Sequence, residues 1–313
     1  AKRAVHDHIK DVYGMDVKVE STRAFATIFR IRYPLLERPL ISIVIPNKDH
    51  VEDLRRCIQS IVNKSTWTNY EIVVVENNSK EQSIFDYYKE LEALPQVQVV
   101  TYEGEFNYSR INNFGVSKTR GEYLLLLNND TEVITPDWME QLLMYAQRKD
   151  VGAAGAKLYY GDDTIQHAGV VIGLGAHRSA GHTHYKMPRQ HLGYMGRLCY
   201  AQDVTAVTGA CLMVSRAAYD QVGGLDESFT ISLNDVDFCL KLREAGYLNI
   251  FTPFAELYHY ESKTRGMEEG EKLRRYEREC AHFREKWKAQ LDAGDPYYNP
   301  NFSLDYSDFT LRF

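Results

Sequence analysis

Four consecutive leucines, Leu124 to Leu127, stop abruptly at Asn128-Asn129-Asp130-Thr131. A short apolar run closed by polar residues reads as a strand buried on both faces, and such strands belong to parallel sheets covered by helices. Its last residues emerge at the carboxyl edge of the sheet, where open α/β sheets bind ligands. An aspartate there, with two amides beside it, offers hard oxygen ligands suited to a divalent cation and the phosphates that travel with it. The same residues would also serve as an ordinary strand-ending turn, since Asn and Asp favour turns.

The sequence around this run repeats one pattern. An apolar strand from Leu40 to Ile45 leads through Pro46-Asn47-Lys48-Asp49 into Leu54, Cys57, Ile58, Ile61 and Val62 at helical spacing. Strands over 70–75, 97–102 and 123–127 alternate with helices over 81–94 and 109–119. Short connections between alternating elements specify right-handed βαβ units and a mostly parallel sheet, so the first 130 residues look like a nucleotide-binding half. A helix over 138–149 follows, with Pro136 near its first turn, and then a strand over 151–158. From 159 to 205 Gly, His and Tyr dominate with weak periodicity, as in a long functional loop or β-ribbon. Core-like residues return at 206–214, followed by a short helix over 217–222 that ends at Gly223-Gly224. A further helix through Val236, Cys239, Leu240 and Leu242 closes at Gly246, before a strand-like segment over 248–254. The last helix, about 268–293, carries opposite charges three and four residues apart and reads as a solvated face.

Bulk properties narrow the function. The 313 residues are 44% hydrophobic, enough for a large α/β core. A net charge of −6 argues against a nucleic-acid surface. No apolar run approaches the roughly 20 residues of a membrane helix, and no signal peptide opens the chain. Cys57, Cys199, Cys211, Cys239 and Cys280 are odd in number and unpaired in spacing, as expected of reduced core residues in a reducing compartment. The chain opens on Ala1, mid-helix in character, as a piece of a larger multidomain protein would.

Four polar clusters fall in order: Pro46-Asn47-Lys48-Asp49, Glu76-Asn77-Asn78-Ser79, Asn128-Asn129-Asp130, and Asn234-Asp235-Val236-Asp237 at a helix start. The first two, at neighbouring strand ends, can hydrogen-bond a base and ribose. Asp235 is either a helix cap or a general base that takes a proton from a hydroxyl. His259, in Leu257-Tyr258-His259-Tyr260, is either a structural histidine or an imidazole ligand for Mn²⁺ or a related ion. Lys263 and Arg265 follow, within reach of a diphosphate. His167, His177, His182, His184 and His191 crowd the 159–205 region, but their spacing matches no standard zinc pattern. An acceptor flap in which Tyr185, Tyr194 and Tyr200 stack on sugars suits the region better. A nucleotidyltransferase would need a Gly-rich basic loop after its first strand, which Pro46-Asn47-Lys48-Asp49 does not supply. A non-catalytic carbohydrate-binding domain is the other rival.

The order of these motifs resembles the family 2 glycosyltransferases, inverting enzymes that use nucleotide-sugar donors. The resemblance runs from about Leu40 to Arg265. It is carried by Ile41 to Pro46, Glu71 to Ser79, Asn112-Asn113-Phe114-Gly115, Gly121-Glu122-Tyr123, Asn128 to Thr131, Thr208 to Cys211, Gly223 to Asp226, Asp235-Val236-Asp237 and His259. The chain looks most like bacterial enzymes of O-antigen, rhamnan or other cell-surface polysaccharide synthesis, where a Gln-His-Ala-Gly segment such as Gln166 to Gly169 also occurs.

The resemblance implies a GT-A fold: α/β, with a Rossmann-like, mostly parallel sheet flanked by helices and a helical C-terminal extension. The glycosyltransferase domain would cover 39–265, divided into a nucleotide-binding half (39–130) and an acceptor half (131–265). Residues 1–38 would be an appendage or linker, and 266–313 a C-terminal helix and tail. Pro46, Asn47, Glu76, Asn78, Arg110, Asn113, Asn128, Asn129, Asp130 and Arg265 would contact the nucleotide or donor. Asp130 and His259 would hold Mn²⁺ or Mg²⁺, Asp235 would be the base of a single displacement, and His167, Thr208, Gly209 and Asp237 would meet the acceptor. The implied partners are a UDP- or dTDP-sugar and a lipid-linked glycan. The implied location is the cytoplasm, peripheral at the inner face of the membrane. Three departures stand out: Asn128 and Asn234 occupy positions where the family carries an acid, and Glu76 replaces a shorter Asp.

Overall fold

The computed structural model describes residues 1–261 and 270–312; Lys263 and Arg265 lie outside the described residues. The chain opens with α1 (Lys2–Tyr13) and an antiparallel hairpin, β1 (Lys18–Ser21) and β2 (Phe29–Arg32). Next come β3 (Ile41–Asn47), α2 (Val51–Lys64), β4 (Tyr70–Glu76), α3 (Gln82–Glu92), β5 (Val97–Thr101), α4 (Tyr108–Ser117) and β6 (Tyr123–Leu127). The second half contains β7 (Thr131–Val133), α5 (Trp138–Ala146), β8 (Val151–Tyr159), β9 (Ile165–His167), β10 (Val170–Ile172), β11 (Ala180–His182), β12 (Gln202–Val204) and β13 (Cys211–Ser215). It ends with α6 (Arg216–Gln221), α7 (Asn234–Glu244), β14 (Leu248–His259), α8 (Glu271–Lys286) and α9 (Lys288–Ala293).

The main sheet has the order β12-β14-β8-β13-β6-β3-β4-β5. Parallel pairing links β6, β3, β4 and β5, and also β8 with β14. Since β13 runs antiparallel to both β6 and β8, and β12 to β14, every strand of this order except β12 and β13 points the same way. The mostly parallel α/β sheet expected from the alternating pattern is therefore present. The leucine run shows why it must be covered on both sides. Leu125 and Leu127 join one core with α2, α3 and α5, while Leu124 and Leu126 join the other with α4, α6, α7 and α8. All four are essentially inaccessible, and burial of each contributes about 2 kcal/mol. On the second face α4 lies so close to the sheet that a Cβ on Gly115 would stand 2.5 Å from a methyl of Val44.

Residues Ile9, Val17 and Tyr33 of the opening segment belong to the first core. The 159–205 region is a set of short ribbons rather than a packed layer: β9 pairs with β8, β10 with β11, and β12 with β14. The expected continuous C-terminal helix is interrupted at Trp287 (φ −107°, ψ 25°), where the indole donates to Asp237 Oδ1 at 2.8 Å. Nor is that helix wholly solvated, because Glu279, Cys280 and Phe283 are buried. In β14, Thr252 faces Ala156 of β8 but Glu256 faces the next residue, Lys157, so Pro253-Phe254-Ala255 bulge out. The Arg30 guanidinium covers the ring of Phe254 at 4.0 Å.

Two histidines of the ribbon region are fully enclosed. Burial holds His167 well below its ordinary value of 6.5 and His184 down to about 3, so both are neutral in the folded protein. The unfolded chain takes up these protons near pH 6.5, so their contribution to stability is complete above that value and is lost as pH falls. Each group can cost up to about 1.4 kcal/mol per pH unit below it. Thermal unfolding midpoints should fall between pH 7.5 and 5.0, and the decline should be shallower in His184→Gln.

Candidate active site

The residues singled out in sequence converge on one edge of the sheet because their strands end there. Asn47 and Glu76 close β3 and β4, and Asn128 directly follows β6. Since β13 is antiparallel to β6, with Cys211 opposite Leu127, Thr208-Gly209-Ala210 arrives at the same edge. So does His259, which closes β14 opposite Thr131. The Asn128-Asn129-Asp130-Thr131 turn is held by Thr131 Oγ1, which donates to the Asn128 carbonyl at 2.9 Å.

The first polar chain runs across the ends of β3 and β4. Tyr88 donates to Glu76 Oε2 at 2.5 Å and accepts from Asn47 Nδ2 at 2.7 Å, and Asn47 Oδ1 accepts from Asn129 Nδ2 at 2.6 Å. Burial and the Glu76 carboxylate push the Tyr88 phenol upward, so it stays a donor. Asn78, exposed and left-handed at φ 60°, donates from its amide to the Gly104 carbonyl. Pro46 lies within β3 beside Val75.

The second chain sets the state of His259. Gln166 Nε2 donates to Glu261 Oε2 at 2.8 Å, which turns Gln166 Oε1 toward His259 Nδ1 at 2.6 Å. That ring nitrogen therefore carries a proton. Tyr108 donates to Asn128 Oδ1 at 3.1 Å, which turns the Asn128 amide nitrogen toward His259 Nε2, also at 3.1 Å. Asp130 Oδ1 approaches the same Nε2 at 3.1 Å. An imidazole lone pair facing a carboxylate needs a positive centre between them, either a ring proton or a cation. Neighbouring ligands of an octahedral ion bound at about 2.1 Å stand roughly 3 Å apart, so Asp130 and His259 suit Mg²⁺ or Mn²⁺. Among the described residues no set of three or more His, Cys, Asp or Glu side chains surrounds one point.

Asp235 stands at the start of α7 on the other side of Tyr108. Its Oδ2 accepts from the Gly209 amide at 2.9 Å and its Oδ1 from the Val236 amide at 2.8 Å. The backbone at Gly209 passes close to Tyr108 and Asp235: a Cβ there would lie 3.2 Å from the Tyr108 hydroxyl and 3.4 Å from Asp235 Cβ. Tyr108, which also lies 3.1 Å from the Gly209 carbonyl, thus joins the Asp130–His259 side of the site to the Asp235 side.

Four other expected site residues make contacts within the protein. Arg110 pairs with Glu227 at 3.1 Å, and Asn113 binds Leu225 through both its backbone groups, so this face of α4 holds the 225–227 loop. His167 Nδ1 lies 2.8 Å from His182 Nδ1, and its Nε2 faces the Thr208 amide at 3.4 Å. Asp237 is fully buried, with Lys286 Nζ at 2.6 Å and the Trp287 indole on one oxygen, which ties it to the C-terminal helix. Tyr108, Tyr88 and Glu261 were not foreseen, since an isolated tyrosine or glutamate carries no motif. Gln166 was visible only as part of Gln-His-Ala-Gly.

Residues 42–223 match the family described as Glycosyl transferase family 2. The uncharacterized protein y4gI of Sinorhizobium fredii is 44% identical over 99% of this chain and 34% of that protein. The O-antigen biosynthesis protein RfbC of Myxococcus xanthus is 34% identical over 99% of this chain and 24% of that protein. The chain therefore spans about a third or less of these two relatives. Among solved structures, GalNAc-T7 with UDP, GalNAc and Mn²⁺ aligns at a TM-score of 0.63 and 17% identity, covering 81% of this chain and 50% of that one. The fold is that of the GT-A glycosyltransferases.

The Gln166 contact has a spectroscopic signature. Nitrogen-15 shifts of His259 above pH 8 should report the Nδ1–H form in the intact protein. In Gln166→Leu they should report a mixture of the two neutral forms.

Proposed function

The chain belongs to glycosyl transferase family 2, and from that premise we propose that it transfers a sugar from a nucleoside diphosphate sugar to a hydroxyl of a growing glycan, with inversion, in cell-surface polysaccharide synthesis. The name of the RfbC relative supports the biological setting. The observation that carries the chemistry is the meeting of two acidic centres on one sheet edge: Asp235, anchored by the Gly209 and Val236 amides, and Asp130 beside His259.

Asp235 takes the proton of the acceptor hydroxyl as that oxygen attacks the anomeric carbon, and the nucleoside diphosphate departs from the opposite face. Both carboxylate oxygens accept backbone amides, so the base is already oriented before the acceptor arrives. Asp130 and His259 would hold a divalent cation, which when bound neutralises charge on the departing diphosphate. Asn128 donates to His259 Nε2 and must give up that contact for the ring to become a ligand. Asn47, Glu76, Asn78 and Asn129 form the nucleoside end, compatible with UDP or dTDP. Thr208, Gly209 and His167 lie on the Asp235 side, where a lipid-linked glycan would enter at the inner face of the cytoplasmic membrane. No helix among the described residues is long and apolar enough to cross a membrane. A nucleotidyltransferase finds no support in the loop after β3.

Nucleoside diphosphate release should be measured with UDP-glucose, UDP-galactose, UDP-N-acetylglucosamine and dTDP-rhamnose in Mn²⁺. Asp235→Asn should lower it by about a hundred- to ten-thousand-fold, with UDP binding by calorimetry within a few-fold of the parent. Retained turnover would remove Asp235 from the base role. Asp130→Asn should instead weaken Mn²⁺-dependent UDP binding.

A further inference from the structure

The loop that delivers Asp235 is held from behind by α8. Glu279, only 6% exposed, directs one carboxylate oxygen at the amides of Thr230 (2.8 Å) and Ile231 (3.1 Å) and the other at the amide of Ser232 (2.9 Å). A carboxylate withdrawn from water needs donors of this kind, and three consecutive loop amides need an acceptor. The opposite side of the loop rests on the start of α4. Tyr108 N–H donates to the Thr230 carbonyl at 2.7 Å, and Ser109 Oγ donates to the Phe229 carbonyl at 2.7 Å.

Further along α8, Lys286 Nζ lies 2.6 Å from both Asp226 and Asp237, and the adjoining Trp287 donates to Asp237. Polar anchors from the C-terminal helix region therefore bracket Asp235 on both sides, at 230–232 and at 237. Between them Leu233 is left-handed at φ 63°, a conformation that a branched side chain keeps only where its surroundings over-determine it.

We propose that Glu279 is a positioning residue for the base: its carboxylate fixes the 230–232 amides, which hold Leu233 left-handed and so set where α7 starts and where Asp235 points. This rests on Asp235 being the base. It makes the C-terminal helix part of the catalytic apparatus, although both Glu279 and the loop it grips lie beyond the 42–223 family match.

The test is Glu279→Gln, which keeps one acceptor oxygen but turns an NH2 toward at least one of the three loop amides. With the same four nucleotide sugars and Mn²⁺, kcat for diphosphate release should fall at least ten-fold, on the scale of the ~100-fold that a 1 Å misplacement can cost. UDP binding with Mn²⁺ should stay within two-fold. Hydrogen exchange should accelerate at Thr230, Ile231 and Ser232 while β3, β4 and β6 keep their protection. Glu279→Asp, which keeps the charge one methylene shorter, should lose less and serves as the test if the glutamine variant does not fold. A kcat within two-fold of the parent would overturn the proposal, as would parallel loss of kcat, UDP binding and protection across the sheet. Full turnover in Asp235→Asn would instead remove the base reading and leave the exchange result standing. A dead Asp235→Asn beside a fully active Glu279→Gln would remove only the positioning role.

Discussion

The site depends on one strand that runs against its neighbours. Parallel strands can bring only their carboxyl ends to the ligand-binding edge, each followed by its own loop. By entering antiparallel between β6 and β8, β13 brings its amino end there, and with it Thr208-Gly209-Ala210. The Gly209 backbone then faces two ways: its N–H holds Asp235, and its carbonyl lies 3.1 Å from the Tyr108 hydroxyl. Without that reversed strand, Asp235 would lose the Gly209 amide and keep only that of Val236.

Much of this was legible in the amino-acid order, for identifiable reasons. The runs Ile72 to Val75 and Leu124 to Leu127 are apolar throughout, and Ile41 to Ile45 is apolar but for the buried Ser42, because both faces of their strands are covered; Asn47, Glu76 and Asn128 mark the edge. Helices α2, α3 and α4 follow from residues spaced to meet that sheet. What was not legible is what depends on distant partners. Nothing near Asp237 indicates that a lysine and a tryptophan some fifty residues later will claim it. Arg110 and Asn113 sit in a family-like motif yet spend their side chains on the 225–227 loop, a contact set by tertiary packing. The charged pattern of α8 suggested a solvated face because alternating charges look alike whether or not one of them, Glu279, is buried.

The two asparagines that depart from the family pattern make sense as hydrogen-bonding groups. Asn128 both accepts and donates, linking Tyr108 to His259, which a carboxylate at that position could not do without a proton. Asn234 donates to the Ile231 carbonyl at 2.9 Å and so closes the same loop whose amides Glu279 receives. Amides at these places reduce the negative charge around Asp130 and Asp235. They also make the hydrogen-bond network directional, which two further acids would not.

The bulge of β14 governs how the chain can vary in length. Side chains alternate faces along a strand, so a one-residue shift turns every later side chain over. Pro253-Phe254-Ala255 absorb three residues between the register at Ala156 and that at Lys157 before the strand resumes toward His259. An insertion or deletion of one residue there would present Tyr258 or Tyr260 where the imidazole now stands. This segment is in effect a fixed-length spacer. The N-terminal hairpin, whose Arg30 lies on Phe254, clasps it at its widest point.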